Sequence, residues 1–483
     1  MNARPILPAL ALLLGACSLA PTYQVPEMAS PPPAFKENAD WKLAAPADNA
    51  PRGPWWEQFH DEVLNALESK VGEANQNLKA ALARLDQAHA TARATRSDLF
   101  PTISANASSL NERISTNKPF YFPGFDPKYR DNLLGVDVSY EFDVWGRIRN
   151  AVTASNALAV ASAADLATLD LSTRAELAKD YFALRGYDAE QGLLDKTVEA
   201  YRALLDLTQK LYQGGGASVT DVALAQFQLQ NAVTLATDTR LKRSQMEHAI
   251  AVLIGEPAST FSLSPQGEFK VLPPPLAPGL PSALLERRPD IAGAERRVAA
   301  ANAEIGVARA AFFPVFGLDA MGGLESTTMP RWISAPSRYW SLGPSASLTL
   351  FDAGRRQAVT DEAHAAYDEA AANYRQTVLV AYQEVEDNLA ALRDLEREFQ
   401  SASAAGAAAQ DALNQANYRY QGGIASYLEV ITAQNVALQS EFSVTDLQVR
   451  RMMASVQLVK ALGGSWQAES QAAGASPKAY ERR

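Results

Sequence analysis

The sequence predicts a mainly α-helical chain with a membrane β part, in which one unit, a β-hairpin followed by a long α-helical hairpin, occurs twice. Three observations predict it: residues recur in order about 208 positions later, short segments alternate apolar and polar side chains, and long Pro-free stretches follow them. Composition is compatible with this class and excludes others. The 483 residues carry a net charge of −10, and 47% are hydrophobic. That apolar content is ample for a core and excludes a disordered chain. The mean hydropathy is −0.16, and no run of about 18 apolar residues occurs, which excludes a bundle of membrane-spanning helices. A β-barrel, whose alternating strands barely raise hydropathy, stays open. The acidity argues against a nucleic-acid binder.

The amino terminus carries Arg4, an apolar run over 6–14 and then Gly15-Ala16-Cys17. A positive charge, a short apolar run and small residues before a cut site match a secretory signal over 1–16. Leu14-Gly15-Ala16-Cys17 resembles the bacterial lipobox, in which the cysteine thiol receives diacylglycerol and becomes the new N-terminus. Cys17 is the single cysteine of the chain, so no internal disulfide forms. Ser18 rather than Asp follows it, which favours an outer-membrane address. Residues 17–62 are rich in proline and read as a lipidated tether, because proline fixes φ and removes a donor.

The repeat is seen most plainly in two glycine clusters. Tyr212-Gln213-Gly214-Gly215-Gly216-Ala217-Ser218 returns as Tyr420-Gln421-Gly422-Gly423-Ile424-Ala425-Ser426, an offset of 421 − 213 = 208. Asp221 and Glu429 match at that offset, Phe142-Asp143 matches Phe351-Asp352, and Phe100-Pro101 matches Phe313-Pro314. The first repeat covers 63–264 and the second 281–466, with a Pro-rich linker over 265–280 and a tail over 467–483.

Each repeat opens with an Ala-rich helical stretch, roughly 64–99 and 283–312. Strands follow at about 102–114 and 133–144, and at about 314–323 and 341–351. Leu134, Val136, Val138, Tyr140 and Phe142 alternate with Gly135, Asp137, Ser139 and Glu141. Period two puts these sets on opposite faces of a strand. Leu342, Pro344, Ala346, Leu348 and Leu350 repeat the pattern. Aromatic residues crowd the intervening loops, among them Phe120, Tyr121, Phe122, Phe125 and Tyr129, then Trp332, Tyr339 and Trp340. An interfacial girdle needs aromatics at strand ends.

Helices are expected over about 147–213 and 217–254, and over about 354–421 and 425–462. At 1.5 Å per residue the first would be roughly 100 Å long. The glycine clusters mark the hairpin tips, since glycine accepts the left-handed conformation of a sharp reversal. Four strands cannot close a membrane barrel, and open edges in lipid are costly. Three copies would supply about twelve strands; two would supply about eight, a barrel filled by its own side chains that would conduct little, so the expected form is a trimer: a ~12-stranded β-barrel joined to an α-helical barrel.

Pro54-Trp55-Trp56, Leu285-Glu286-Arg287-Arg288-Pro289-Asp290-Ile291, Ala300-Ala301-Asn302-Ala303 with Ile305-Gly306, Phe313-Pro314, Leu350-Phe351-Asp352-Ala353-Gly354-Arg355 and Ala461-Leu462-Gly463-Gly464 together resemble the outer-membrane factors of tripartite efflux pumps. This is the TolC-like family and its NodT-type lipoprotein branch. The resemblance implies a homotrimeric exit channel with an equatorial domain, passively conducting drugs or other small molecules. Its implied partners are a periplasmic adaptor, an inner-membrane efflux transporter and outer-membrane lipid. The alternative is an outer-membrane channel of a protein-secretion system.

No catalytic, metal or cofactor constellation is expected. His60, His89, His248 and His364 lie far apart in sequence, and no phosphate-binding loop occurs. The candidate sites are of another kind. Gly215 and Ser218, and Gly423 and Ser426, each fit Gly-x-x-Ser, which resembles the family's adaptor-docking motif; each serine is equally suited to cap a helix. Tyr427-Leu428-Glu429-Val430-Ile431-Thr432-Ala433-Gln434 resembles the family's gate segment. Leu428 fits a hydrophobic ring there, and Thr432 stands where an Asp is usual. Asp221 and Glu429 could supply the acidic charge, or serve the dipole of a first helical turn.

Overall fold

The computed structural model describes residues 18–27, 35–36 and 54–464, apart from 118, 120, 121, 123, 125, 268, 270–272 and 275–287. Cys17, residues 285–287, and Phe120, Tyr121 and Phe125 lie outside the described residues. The chain divides into two compact units, one of residues 1–27, 84–163 and 293–375, the other of 28–83, 164–292 and 376–483.

The elements in chain order are α1 (Glu62–Ala74), α2 (Gln76–Ser97), β1 (Thr102–Arg113), β2 (Lys128–Phe142), α3 (Arg147–Gln213), α4 (Val219–Leu253), α5 (Pro289–Ala310), β3 (Val315–Ser326), α6 (Met329–Trp332), β4 (Arg338–Ser347), α7 (Arg355–Gln421) and α8 (Tyr427–Ala461). Helices α3 and α7 have 67 residues each, α4 and α8 have 35 each. The expected single helical stretch 64–99 is two helices. Asn75 is extended between them; its Oδ1 accepts from the Leu78 N–H at 3.0 Å, and its Nδ2 donates to the Leu253 carbonyl at 2.8 Å. An Asn that caps a new helix interrupts the old one.

In the first unit the four strands form one antiparallel sheet in the order β1-β2-β3-β4. Its register settles the faces, because directly opposed residues share one. Ala105 opposes Val136, which opposes Gly322, which opposes Trp340; Ile103, Val138, Ala320 and Leu342 form the next row. The other face carries Ser104, Asp137, Met321 and Ser341 in one row, and Thr102, Ser139, Asp319 and Gly343 in the next. Asn106 bonds to Asp137 there, and Asp319 accepts from Ser139 at 3.2 Å and Ser345 at 3.0 Å. Gly135 sits opposite Gly323 beneath the Tyr339 ring, where a Cβ on Gly135 would collide with the phenol oxygen.

The last strand ends at Ser347, short of the expected 351. Its partner β3 begins at Val315, opposite Ser347, just after Pro314, which has no N–H to continue the ladder. Leu350 and Phe351 therefore stand beyond the sheet, 87% and 85% exposed. The two matched Phe-Asp pairs are the strand-to-helix junctions. Asp143 accepts from the N–H groups of Ile148 and Arg149 at 3.0 and 2.9 Å. Asp352 accepts from Gly354 N–H at 3.2 Å and pairs with the Arg356 guanidinium at 2.6 Å. Each carboxylate opens a long helix by satisfying its orphan donors.

In the second unit the core gathers Trp55, Phe59, Leu64, Leu67 and Val71 against Leu177, Tyr181, Phe182 and Leu184 of α3, with Ile250, Met452 and Val456. Buried Asp188 pairs with Arg185 at 2.9 Å and Arg243 at 2.6 Å, and accepts from the Gln266 N–H at 3.1 Å. Arg185 and Arg243 also donate to the carbonyls of Ser264 and Leu263, at 2.8 and 2.6 Å. This cluster clamps 263–266 to the first hairpin. At the repeat offset, Arg243 and Asp188 become Arg451 and Glu396, which again form an ion pair.

Candidate functional site

The two hairpin tips belong to the second unit and are built alike on their incoming side. At the first, Gly215 has φ 77°, and the N–H of Gly216 donates to Leu211 O at 2.7 Å. At the second, Gly423 has φ 71°, and the N–H of Ile424 donates to Arg419 O at 2.9 Å. Both are left-handed glycine caps that satisfy the last carbonyls of α3 and α7. A side chain at either glycine would be strained, though space is open around both.

Their outgoing sides differ. Ser218 Oγ accepts from the Asp221 N–H at 3.1 Å, and Asp221 Oδ2 accepts from the Ser218 N–H at 2.8 Å. That reciprocal capping box closes the start of α4. Ser426 occupies the same place before α8, but its side chain makes no capping bond. Glu429, the repeat partner of Asp221, turns instead to Arg419 across the hairpin, 3.3 Å away. Beside the tips, Tyr427 is buried with Ala225 and Ile431, and burial pushes its phenol up to about 12. Leu428 points the other way and is 63% exposed; one turn on, the Thr432 hydroxyl donates to the Leu428 carbonyl at 2.8 Å. Leu428 and Thr432 thus share one exposed stripe of α8.

Sequence reasoning singled out the RPDI segment only as a mark of resemblance. Its work is structural. Arg288, buried, donates to both carboxylate oxygens of Asp290 at 3.0 and 2.7 Å, to Glu384 at 2.6 Å and to the Ala461 carbonyl at 3.1 Å. It ties the start of α5 to α7 and to the end of α8. Glu68 was not anticipated at all. It is wholly buried, 3.6 Å from Arg174, and burial pushes its carboxyl up to about 9.

A sheet apolar on one face and lined with hydroxyls and carboxylates on the other, together with helical hairpins of this length, points to a membrane channel protein. The comparisons agree with that class. The outer membrane efflux protein family model matches residues 67–256 and 280–464, and the chain belongs to that family. It is 31% identical over 474 residues to the probable efflux pump outer membrane protein TtgC of Pseudomonas putida, covering 97% of this chain and 98% of that one. The cation efflux system protein CusC of Escherichia coli O157:H7 is 29% identical over 458 residues, covering 95% and 97%. Among solved structures, the outer-membrane channel OprN superposes with a TM-score of 0.83 at 30% identity, covering 93% of this chain and 99% of that one. The protein is an outer-membrane efflux component, and these relatives favour efflux over protein secretion.

Proposed function

We propose that three copies of the chain form one exit channel that passively conducts drugs or other small molecules delivered by an inner-membrane transporter and a periplasmic adaptor. One observation carries the reading: β1 and β4 are the two edges of the sheet, and they run in opposite directions. The β4 edge of one copy can therefore pair antiparallel with the β1 edge of the next, closing twelve strands with no edge left. Left open in lipid, two edges of 12 and 10 residues would cost on the order of tens of kcal/mol. The apolar face then meets lipid, and the hydroxyl and carboxylate face lines water.

In this reading Cys17 bears the lipid, which anchors the chain to the outer membrane while the helices reach into the periplasm. Gly215, Ser218, Gly423 and Ser426 meet the adaptor. Three copies of Leu428 form the apolar constriction, Thr432 lines the next turn, and Asp221 and Glu429 place carboxylates beside it. The chain needs no cofactor and catalyses nothing; the transporter supplies the energy and selects the substrate. Cross-linking in native membranes should stop at a trimer, and Leu428→Ala should raise single-channel conductance in planar bilayers. A ladder ending at a dimer would sink the closure argument, and an unchanged conductance would sink the gate.

A further inference from the structure

Residues 18–27 do not hang as a loose tether within the first unit. They lie along α5 in a fixed register, and α5 meets them with one stripe. Glu295, Asn302 and Arg309 are seven residues apart and so share a helix face, and Gly306 falls on it as well. Arg309 donates to the Leu19 carbonyl at 3.5 Å, Asn302 to the Pro21 carbonyl at 2.8 Å, and the Tyr23 hydroxyl bonds to the Glu295 carboxylate. The stripe reads every second residue. Fourteen helical residues span about 21 Å and four extended ones about 13 Å; the long side chains of Arg309 and Tyr23 cover the difference.

Gly306 faces Ala20. A Cβ there would collide with Asn150 Nδ2 and lie 2.7 Å from the Ala20 Cβ and 2.8 Å from the Ala20 nitrogen, so only glycine lets the segment and its Ser18-binding Asn150 approach this closely. Both ends are pinned: Ser18 Oγ donates to Asn150 Oδ1 at 2.9 Å in the first turn of α3, and Arg375 Nε donates to the Glu27 carbonyl at 3.2 Å. Carbonyls alone would be met equally after a slip of two residues, so the Tyr23–Glu295 and Ser18–Asn150 bonds and the close approach of Ala20 to Gly306 set the register.

We propose that the Glu295, Asn302, Gly306 and Arg309 stripe is a docking groove for the chain's own residues 18–27, and that it makes the lipid anchor a depth stop for the sheet. This rests on the reading that Cys17 is acylated. Ser18 is held beside the first turn of α3, and α3 follows β2 after four residues. The acyl chains therefore leave the fold at the base of the sheet, a single residue from a fixed point. On a free tether they could wander by 5–6 Å times the square root of its length.

The test uses the full-length protein in sheared outer-membrane fragments, whose periplasmic face is open to added reagents. Chymotrypsin should cleave after Tyr23 slowly in the wild type, about fivefold faster in Asn302→Ala, which loses one hydrogen bond, and faster still in Gly306→Val. Labelling of Leu350→Cys by a membrane-impermeant maleimide reports the depth of the sheet and should change in the same variants. Unchanged cleavage in both variants overturns the groove. Faster cleavage with unchanged labelling overturns the depth stop. If Gly306→Val does not fold, Asn302→Ala still reads both quantities. Mass spectrometry of the wild-type N-terminal peptide checks acylation by itself: an unmodified Cys17 refutes the lipid reading and with it the depth stop, whereas the cleavage result still decides the groove.

Discussion

Replacing Arg288 by Met keeps the side-chain volume and removes four hydrogen bonds at once, two to Asp290, one to Glu384 and one to the Ala461 carbonyl. Breaking a fully buried ion pair costs about 3–5 kcal/mol. Here the carboxylates retain some water, 28% exposed at Asp290 and 39% at Glu384, which lowers the cost to about 2–3 kcal/mol. The penalty is local, because Arg288 joins the start of α5 to the last turn of α8. Amide hydrogen exchange of the trimer in detergent should therefore quicken about 30- to 150-fold at Leu458, Val459 and Ala461. The tips and the sheet should keep their wild-type rates. Arg288→Lys should recover little, since an ammonium cannot grip Asp290 in two places. Unchanged exchange in the last turn of α8, or an increase spread evenly over the protein, would refute the assignment of Arg288 as a local clamp.

Two further outcomes follow from the same contacts. Burial holds the Glu68 pKa at about 9 against an ordinary 4.5, so the unfolded chain gives up this proton at lower pH than the folded one. The stability due to neutral Glu68 is whole below pH 4.5 and is lost as pH rises toward 9. Glu68→Gln, which keeps the neutral shape, should flatten the fall in Tm between pH 5 and 8.5; an identical slope would show that Arg174 keeps the carboxylate ionised. At the second tip, Gly423→Val forces a β-branched residue into φ 71°, a strain of about 1–3 kcal/mol. It should abolish drug efflux in cells and leave membrane insertion intact; persistent resistance would end the docking role.

Much of the fold was legible because it is written in periods. Alternation in Leu134, Val136, Val138, Tyr140 and Phe142 marks one face of β2, and the register carries that face across the whole sheet. Pro-free runs between glycine clusters coincide with α3 and α7. Breaks made by a side chain were harder to see. Asn75 divides α1 from α2 through its own hydrogen bonds, and an Asn within an Ala-rich stretch has no period to betray it. The end of β4 depends on where β3 starts, a non-local fact that Leu348 and Leu350 cannot express. At the site, the glycines and the cap at Ser218 were legible, and the missing cap at Ser426 was not. Ser218 and Ser426 match in sequence, yet Asp fits a capping box whereas Glu429 instead reaches Arg419. The role of Asn302 and Gly306 was hidden for a related reason: their partner is a segment some 280 residues away.

That divergence between the caps has a consequence for symmetry. In the proposed ring of three chains the six hairpin ends are of two kinds. One is stitched closed by its own serine and aspartate; the other leaves a serine hydroxyl free of capping and is latched by an exposed Arg419–Glu429 pair, worth ~0–1 kcal/mol. A partner with six equivalent arms would meet two kinds of socket. In the proposed trimer the duplication thus doubles the number of tips, three closed by a capping box and three by an exposed ion pair.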